Sequence, residues 1–188
     1  RPLAFCVVLD RSGSMHGEPL KRAKEASALV VRNLREEDQF ALIIFDNEAN
    51  TVFPLQVVKD KAALIRTIET IQPGGATNLT GGWMLGRDEL KKADAGITRR
   101  LLLLSDGLLN CGVTEPDQVS SVVCSGLEMD KIRTSTLGFG EDYDEDLLSD
   151  LANRTSGQFY DANNADKLPA IFESELDGLQ KISAQNIR

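Results

Sequence analysis

The sequence predicts an α/β fold: a doubly wound, Rossmann-like, mostly parallel six-stranded sheet with one antiparallel edge strand and helices on both faces. Residues 3–9 (Leu-Ala-Phe-Cys-Val-Val-Leu) and 101–104 (four leucines) are apolar runs without polar alternation. That is the pattern of strands buried on both faces, as parallel strands covered by helices are. Each run stops at an acid, Asp10 before Arg-Ser12-Gly-Ser14 and Asp106 within Ser-Asp-Gly. Amphipathic helical stripes fall between the strands, and a strand order of 3-2-1-4-5-6 makes the first and fourth strands neighbours at the switch point.

The first strand ends at Asp10, and Gly17-Glu18-Pro19 prepares a helix because proline suits the first helical position. Leu20, Ala23, Ser27, Val30 and Leu34 form its apolar stripe, with Lys21, Arg22, Lys24, Glu25 and Arg32 elsewhere. Gln39 to Phe45 and Thr51 to Val57 read as two strands joined by a hairpin over residues 46–50, with Asp46 on its shoulder. Pro54 removes a ladder donor and sends the second of them to an edge. Lys61 to Ile71 is a helix ending at Pro73-Gly74-Gly75, and a further helix carries Gly81, Gly82 and Gly86, whose missing side chains let Trp83, Leu85 and Leu90 settle on the sheet. After the fourth strand, a helix opens at Glu115-Pro116 and runs through Met129, Ile132 to Phe139 is the fifth strand, and Asp144 caps a short helix with Leu147, Leu148 and Leu151. A last strand lies around Phe159-Tyr160. Pro169 starts a final helix expected to reach Ile187, with Gly178 as a plausible hinge.

With 188 residues, 41% of them apolar and 27% charged, the chain reads as one ordinary globular domain. A net charge of −8, from 29 acids and 21 bases, argues against nucleic acid as a partner. Arg99-Arg100 is a basic pair that reads as the solvated start of a strand. No run of 18 apolar residues offers a membrane span. The chain begins with Arg, so it is expected to be a module excised from a longer protein with further domains. Three cysteines, Cys6, Cys111 and Cys124, lack zinc-site spacing; Cys6 and Cys124 read as small core hydrophobes, which tilts the compartment toward the cytoplasm. One histidine, His16, nearly excludes an imidazole metal centre or a Ser-His-Asp triad. The Gly-rich stretch 74–82 lacks the Lys-Ser/Thr ending of a phosphate loop.

Ligands of open α/β sheets collect outside the carboxyl ends of the strands, where Asp10, Ser12, Ser14 and Asp106 are expected. Carboxylate and hydroxyl oxygens suit a hard cation such as Mg²⁺, whereas capping of a turn would employ the same residue types. Five acids between Gly138 and Asp146 could suggest Ca²⁺, but acids at a helix N-terminus are favoured by the dipole anyway.

Asp10-x-Ser12-x-Ser14, Thr77 in a Gly-rich loop and Asp106 in a Ser-Asp-Gly turn together resemble the von Willebrand factor type A family and its metal-ion-dependent adhesion site (MIDAS). The likeness covers essentially the whole chain. It implies a Mg²⁺ or Mn²⁺ ion held by Ser12, Ser14 and Thr77 directly and by Asp10 and Asp106 directly or through water. The last coordination position would go to an Asp or Glu of a partner protein. The expected function is therefore a metal-dependent protein-binding module without catalytic residues. The alternative is a phosphatase-like hydrolase using Asp10 as nucleophile, for which no spare His, and no Lys at a strand end, supplies an acid or base.

Overall fold

The computed structural model describes residues 2–94, 96–173 and 175. Its elements in chain order are β1 (Leu3–Asp10), α1 (Glu18–Asn33), β2 (Gln39–Phe45), β3 (Ala49–Val57), α2 (Lys61–Glu69), α3 (Leu79–Leu90), β4 (Thr98–Ser105), α4 (Pro116–Asp130), β5 (Ile132–Gly138), α5 (Glu145–Arg154) and β6 (Phe159–Asp161). The six strands form one sheet in the order β3-β2-β1-β4-β5-β6. Every neighbouring pair is parallel except β2 with β3, which is antiparallel at the edge that Pro54 requires.

The apolar run of β1 is buried along its whole length because alternate side chains enter two different cores. Leu3, Phe5, Val7 and Leu9 pack with α1 and α2, through Leu20, Ala23, Val30, Leu64 and Ile68. Ala4, Cys6 and Val8 pack against the other layer, where Trp83, Val119, Val123, Leu148 and Leu151 of α3, α4 and α5 meet the sheet. Helix α3 lies close because Gly86 presents no side chain: a Cβ there would sit 2.8 Å from Val8 Cγ2 and 3.0 Å from Leu101 Cδ1. Trp83 is fully buried and donates its indole N–H to Thr134 Oγ1 at 3.0 Å.

Several details differ from the sequence reading. The hairpin is tighter, since β3 begins at Ala49 and pairs it with Phe45. Cys124 is half-buried on α4, where Val119, Val123 and Gly126 take the inward positions, so it is not a core residue. Arg100 is not solvated: it is 4% exposed, with Nε 3.1 Å from Glu175 Oε1. The run that buries β4 on both faces begins at this residue, and Glu175 supplies the counter-charge. Residues 168–173 and 175 are helical as expected; the proposed continuation to Ile187 and the Gly178 hinge lie outside the described residues. No helix among the described residues is long and apolar enough to cross a membrane.

Candidate metal centre

β1 and β4 run side by side in register from Leu3 opposite Thr98 to Leu9 opposite Leu104, so Asp10 and Ser105-Asp106 leave the sheet together. Asp10 is fully buried, and each of its oxygens accepts one hydrogen bond. Oδ1 accepts the Ser12 N–H at 2.8 Å and Oδ2 accepts the Ser105 hydroxyl at 2.7 Å. Ser105 Oγ in turn accepts the Gly107 N–H at 2.9 Å, with Gly107 at φ +70° turning the chain away from the strand. A short 3-10 turn over Gly13–Met15 brings Ser14 back, with its Oγ 3.1 Å from Ser12 Oγ. Ser14 donates to Asp106 Oδ2 at 2.5 Å, while Asp106 Oδ1 accepts the Leu108 N–H at 3.0 Å. Asp10, Ser12, Ser14 and Asp106 are thus joined by an unbroken series of hydrogen-bond contacts.

Thr77 arrives from another part of the chain, on the loop between α2 and α3. That loop is laid across residues 11–13 by two backbone bonds, Gly13 N–H to Gly75 O at 2.7 Å and Gly74 N–H to Arg11 O at 2.6 Å. The hairpin after β2 braces it from outside: Asp46 Oδ2 accepts the Gly75 N–H at 3.3 Å and Asn47 Oδ1 accepts the Ala76 N–H at 2.8 Å. A Cβ on Gly74 would collide with the Asp46 carboxylate, so the approach depends on glycine there. Asp46 is on the hairpin shoulder, as the sequence suggests, and also reaches the loop. Thr77 is 1% exposed, and its N–H is held by Asn110 Oδ1 at 2.7 Å.

All five residues singled out in the sequence therefore lie at one end of the sheet. Ser105 and Asn110, which hydrogen-bond Asp10 and the Thr77 N–H, are neighbours of the candidate site that the sequence did not single out. A small polar residue closing a buried leucine run was a usable signal for Ser105. Asn110 carried none, because its partner is 33 residues away and asparagine in a loop is ordinary.

Two buried carboxylates side by side are electrostatically expensive. Burial, and then the charge of Asp106, push the Asp10 carboxyl up to about 6 despite the opposing hydrogen bonds from Ser12 and Ser105. Among the described residues neither carboxylate has an ion-pair partner; nearby Arg11 contacts Asp46 instead, at 3.5 Å. Nor do the described residues gather three or more His, Cys, Asp or Glu into one metal-holding group. The donor set is two carboxylates supplemented by hydroxyls. Such hard oxygens fit Mg²⁺ or Mn²⁺, and a divalent cation would supply a counter-charge to the two acids.

A sequence model of the von Willebrand factor type A domain matches residues 5–174. The chain belongs to the von Willebrand factor type A family. It is 30% identical over 185 residues to the uncharacterized protein sll0103 of Synechocystis sp., an alignment covering 98% of this chain and 43% of that protein. The chain thus spans less than half the length of this relative. Among solved structures, an aerotolerance-related membrane protein from Bacteroides fragilis carrying multiple mutations to serine superposes with a TM-score of 0.78 at 18% identity, over 94% of this chain and 99% of that one. Proximal thread matrix protein 1 from the mussel byssus, solved with a zinc-occupied MIDAS motif, gives 0.73 at 23% identity over 92% of this chain and 44% of that one. At these identities the structural likeness speaks for the fold.

Proposed function

We propose that this von Willebrand factor type A domain is a protein-binding module that captures an Asp or Glu of a partner protein through Mg²⁺ or Mn²⁺ held by Asp10, Ser12, Ser14, Thr77 and Asp106. One observation carries the reading: two adjacent buried carboxylates that have no cationic partner among the described residues and are surrounded by hydroxyls. The zinc-occupied MIDAS of the mussel byssus protein supports it by fold-level analogy. A bound cation would offset the two charges and, with neutral hydroxyls as its other neighbours, retain attraction for an external carboxylate. The chain's own contribution is orientation. Ser12 N–H and Ser105 fix Asp10, Leu108 N–H and Ser14 fix Asp106, and Asn110 fixes the Thr77 backbone.

The hydrolase alternative gains nothing from this geometry. A carboxylate nucleophile must be exposed to its substrate, whereas Asp10 is fully buried. Titration calorimetry with Mg²⁺ and Mn²⁺ is expected to show a single site that disappears in Asp10→Ala. Unchanged binding in that variant would overturn the assignment.

A further inference from the structure

Beside the candidate centre lies a cleft of about 790 Å³, reached by Ser14 and Asp106 on one side and walled by Glu18, Arg22, Glu141 and Asp142. The wall formed by the 140–143 turn is held firmly. Gly140, at φ +97°, exchanges two hydrogen bonds with the Asn163 side chain, at 2.7 and 2.9 Å, and the Asp144 N–H bonds Asp106 O at 2.7 Å. The turn is therefore tied to the same segment that carries Asp106.

Its two acids are exposed, and neither side chain has an ion pair or hydrogen bond among the described residues. The helix dipole explains Asp144, whose side chain caps α5, and Glu145 and Asp146 in its first turn. Glu141 and Asp142 stand before the cap, and capping does not account for them. The cleft's one arginine is already engaged within its own wall: Arg22 Nε is 3.7 Å from Glu18, and its Nη1 donates to the Asn163 carbonyl, so it leaves Glu141 and Asp142 unpaired among the described residues. A segment presenting only acidic residues would meet this wall with like charge, which disfavours it.

We propose that the cleft is the docking groove for a partner segment that carries a Lys or Arg close to its metal-seeking carboxylate, with Glu141 and Asp142 receiving the base. The proposal rests on the metal reading above and names the chemistry of the partner. A rigid acidic wall beside a cation makes the two requirements on the partner opposite in sign, so a mixed acid-base segment is selected over a purely acidic one.

The test is a peptide array with a fixed central Asp and every residue type varied at the flanking positions, probed with the labelled 188-residue chain in Mg²⁺ and in EDTA. Magnesium-dependent signal is expected to favour Lys and Arg over Asp and Glu at a flanking position by about two- to fivefold, the range of exposed charge pairs. In Glu141→Gln/Asp142→Asn, normalised to that variant's own Mg²⁺ affinity, the preference is expected to vanish. Magnesium-dependent binding indifferent to flanking charge overturns the groove while leaving the metal reading intact, as does a basic preference that survives in the double variant. Signal that is the same in EDTA, or absent in Mg²⁺, overturns the proposal; calorimetric titration of Mg²⁺ alone then shows whether the metal reading falls with it.

Discussion

Burial beside Asp106 raises the Asp10 carboxyl from an ordinary 3.8 to about 6, so the folded protein holds this proton more tightly than the unfolded chain does. More protons bound in the native state means that stability falls as pH rises, here between about 4 and 6, by about 2 to 3 kcal/mol. In EDTA, Asp10→Asn is therefore expected to be more stable than the natural chain at about pH 7.5 and to lose that advantage toward pH 4. Mg²⁺ should then raise the melting temperature of the natural chain and leave the variant unmoved, because a ligand stabilises only the state that binds it. Superimposable pH profiles would show that Asp10 does not carry this cost. Asn110 makes a second case. Residues that orient a ligand from behind commonly change metal affinity 10- to 100-fold, and Asn110→Ala is expected to weaken Mg²⁺ binding by about tenfold without altering the circular dichroism spectrum. Asp10, Ser12, Ser14 and Asp106 were legible because each belongs to a recognisable local pattern, an acid after an apolar run or hydroxyls at alternate positions after it, whereas Thr77 was reached only through the family resemblance. Asn110 was not legible, since its role exists only once the loop after β4 has been folded against the loop before α3.

The helices show the same division at the scale of elements. α3 could be located from its internal glycines and its apolar residues, but why those glycines are there depends on what they touch. A Cβ on Gly82 would sit 2.5 Å from Phe45 Cδ1, one on Gly86 2.8 Å from Val8 Cγ2, and one on Gly126 of α4 2.5 Å from Trp83 Cζ2. Intrinsic propensity favours alanine over glycine in a helix by about 1 kcal/mol, and overpacking a close-fitted core costs about 1 to 3 kcal/mol. Phe45 and Val8 are both fully buried and would have to shift within the core, so packing should win. Gly82→Ala and Gly86→Ala are each expected to lower the urea midpoint despite their better helix propensity. Because α3 follows the Thr77 loop directly, displacement of α3 should also weaken Mg²⁺ binding. A raised midpoint in either variant would mean that the sheet and α3 are not in the contact described.

Across the whole molecule the parallel pairing was legible from the burial pattern and the antiparallel edge from Pro54, while the strand order came from the doubly wound fold class that these features imply. The buried charge was not. Arg99-Arg100 looks like any basic pair at a strand start, and only the folded chain brings Arg100 to Glu175, 75 positions away. Glu175 also accepts from the Ser135 hydroxyl at 2.6 Å and from the Tyr160 hydroxyl at 2.8 Å, so one carboxylate joins β4, β5, β6 and the helical residues after 167. Burial pulls the Arg100 guanidinium pKa down and Glu175 opposes it; Arg100 Nη1 has no hydrogen-bond partner among the described residues. Such a pair contributes little net stability compared with apolar residues of the same volume, yet it is costly to break, because the remaining charge is left buried. Glu175→Gln is accordingly expected to destabilise the chain by about 3 to 5 kcal/mol in urea unfolding at neutral pH. The combined Arg100→Met/Glu175→Leu variant should recover most of that kind of loss, and with the single Arg100→Met and Glu175→Leu variants it closes a double-mutant cycle whose coupling is expected to be about 1 kcal/mol or more. Were Glu175→Gln to fall within about 0.5 kcal/mol of the natural chain, as surface substitutions do, Glu175 would be solvated and the last helical segment would not be fastened to the sheet through it.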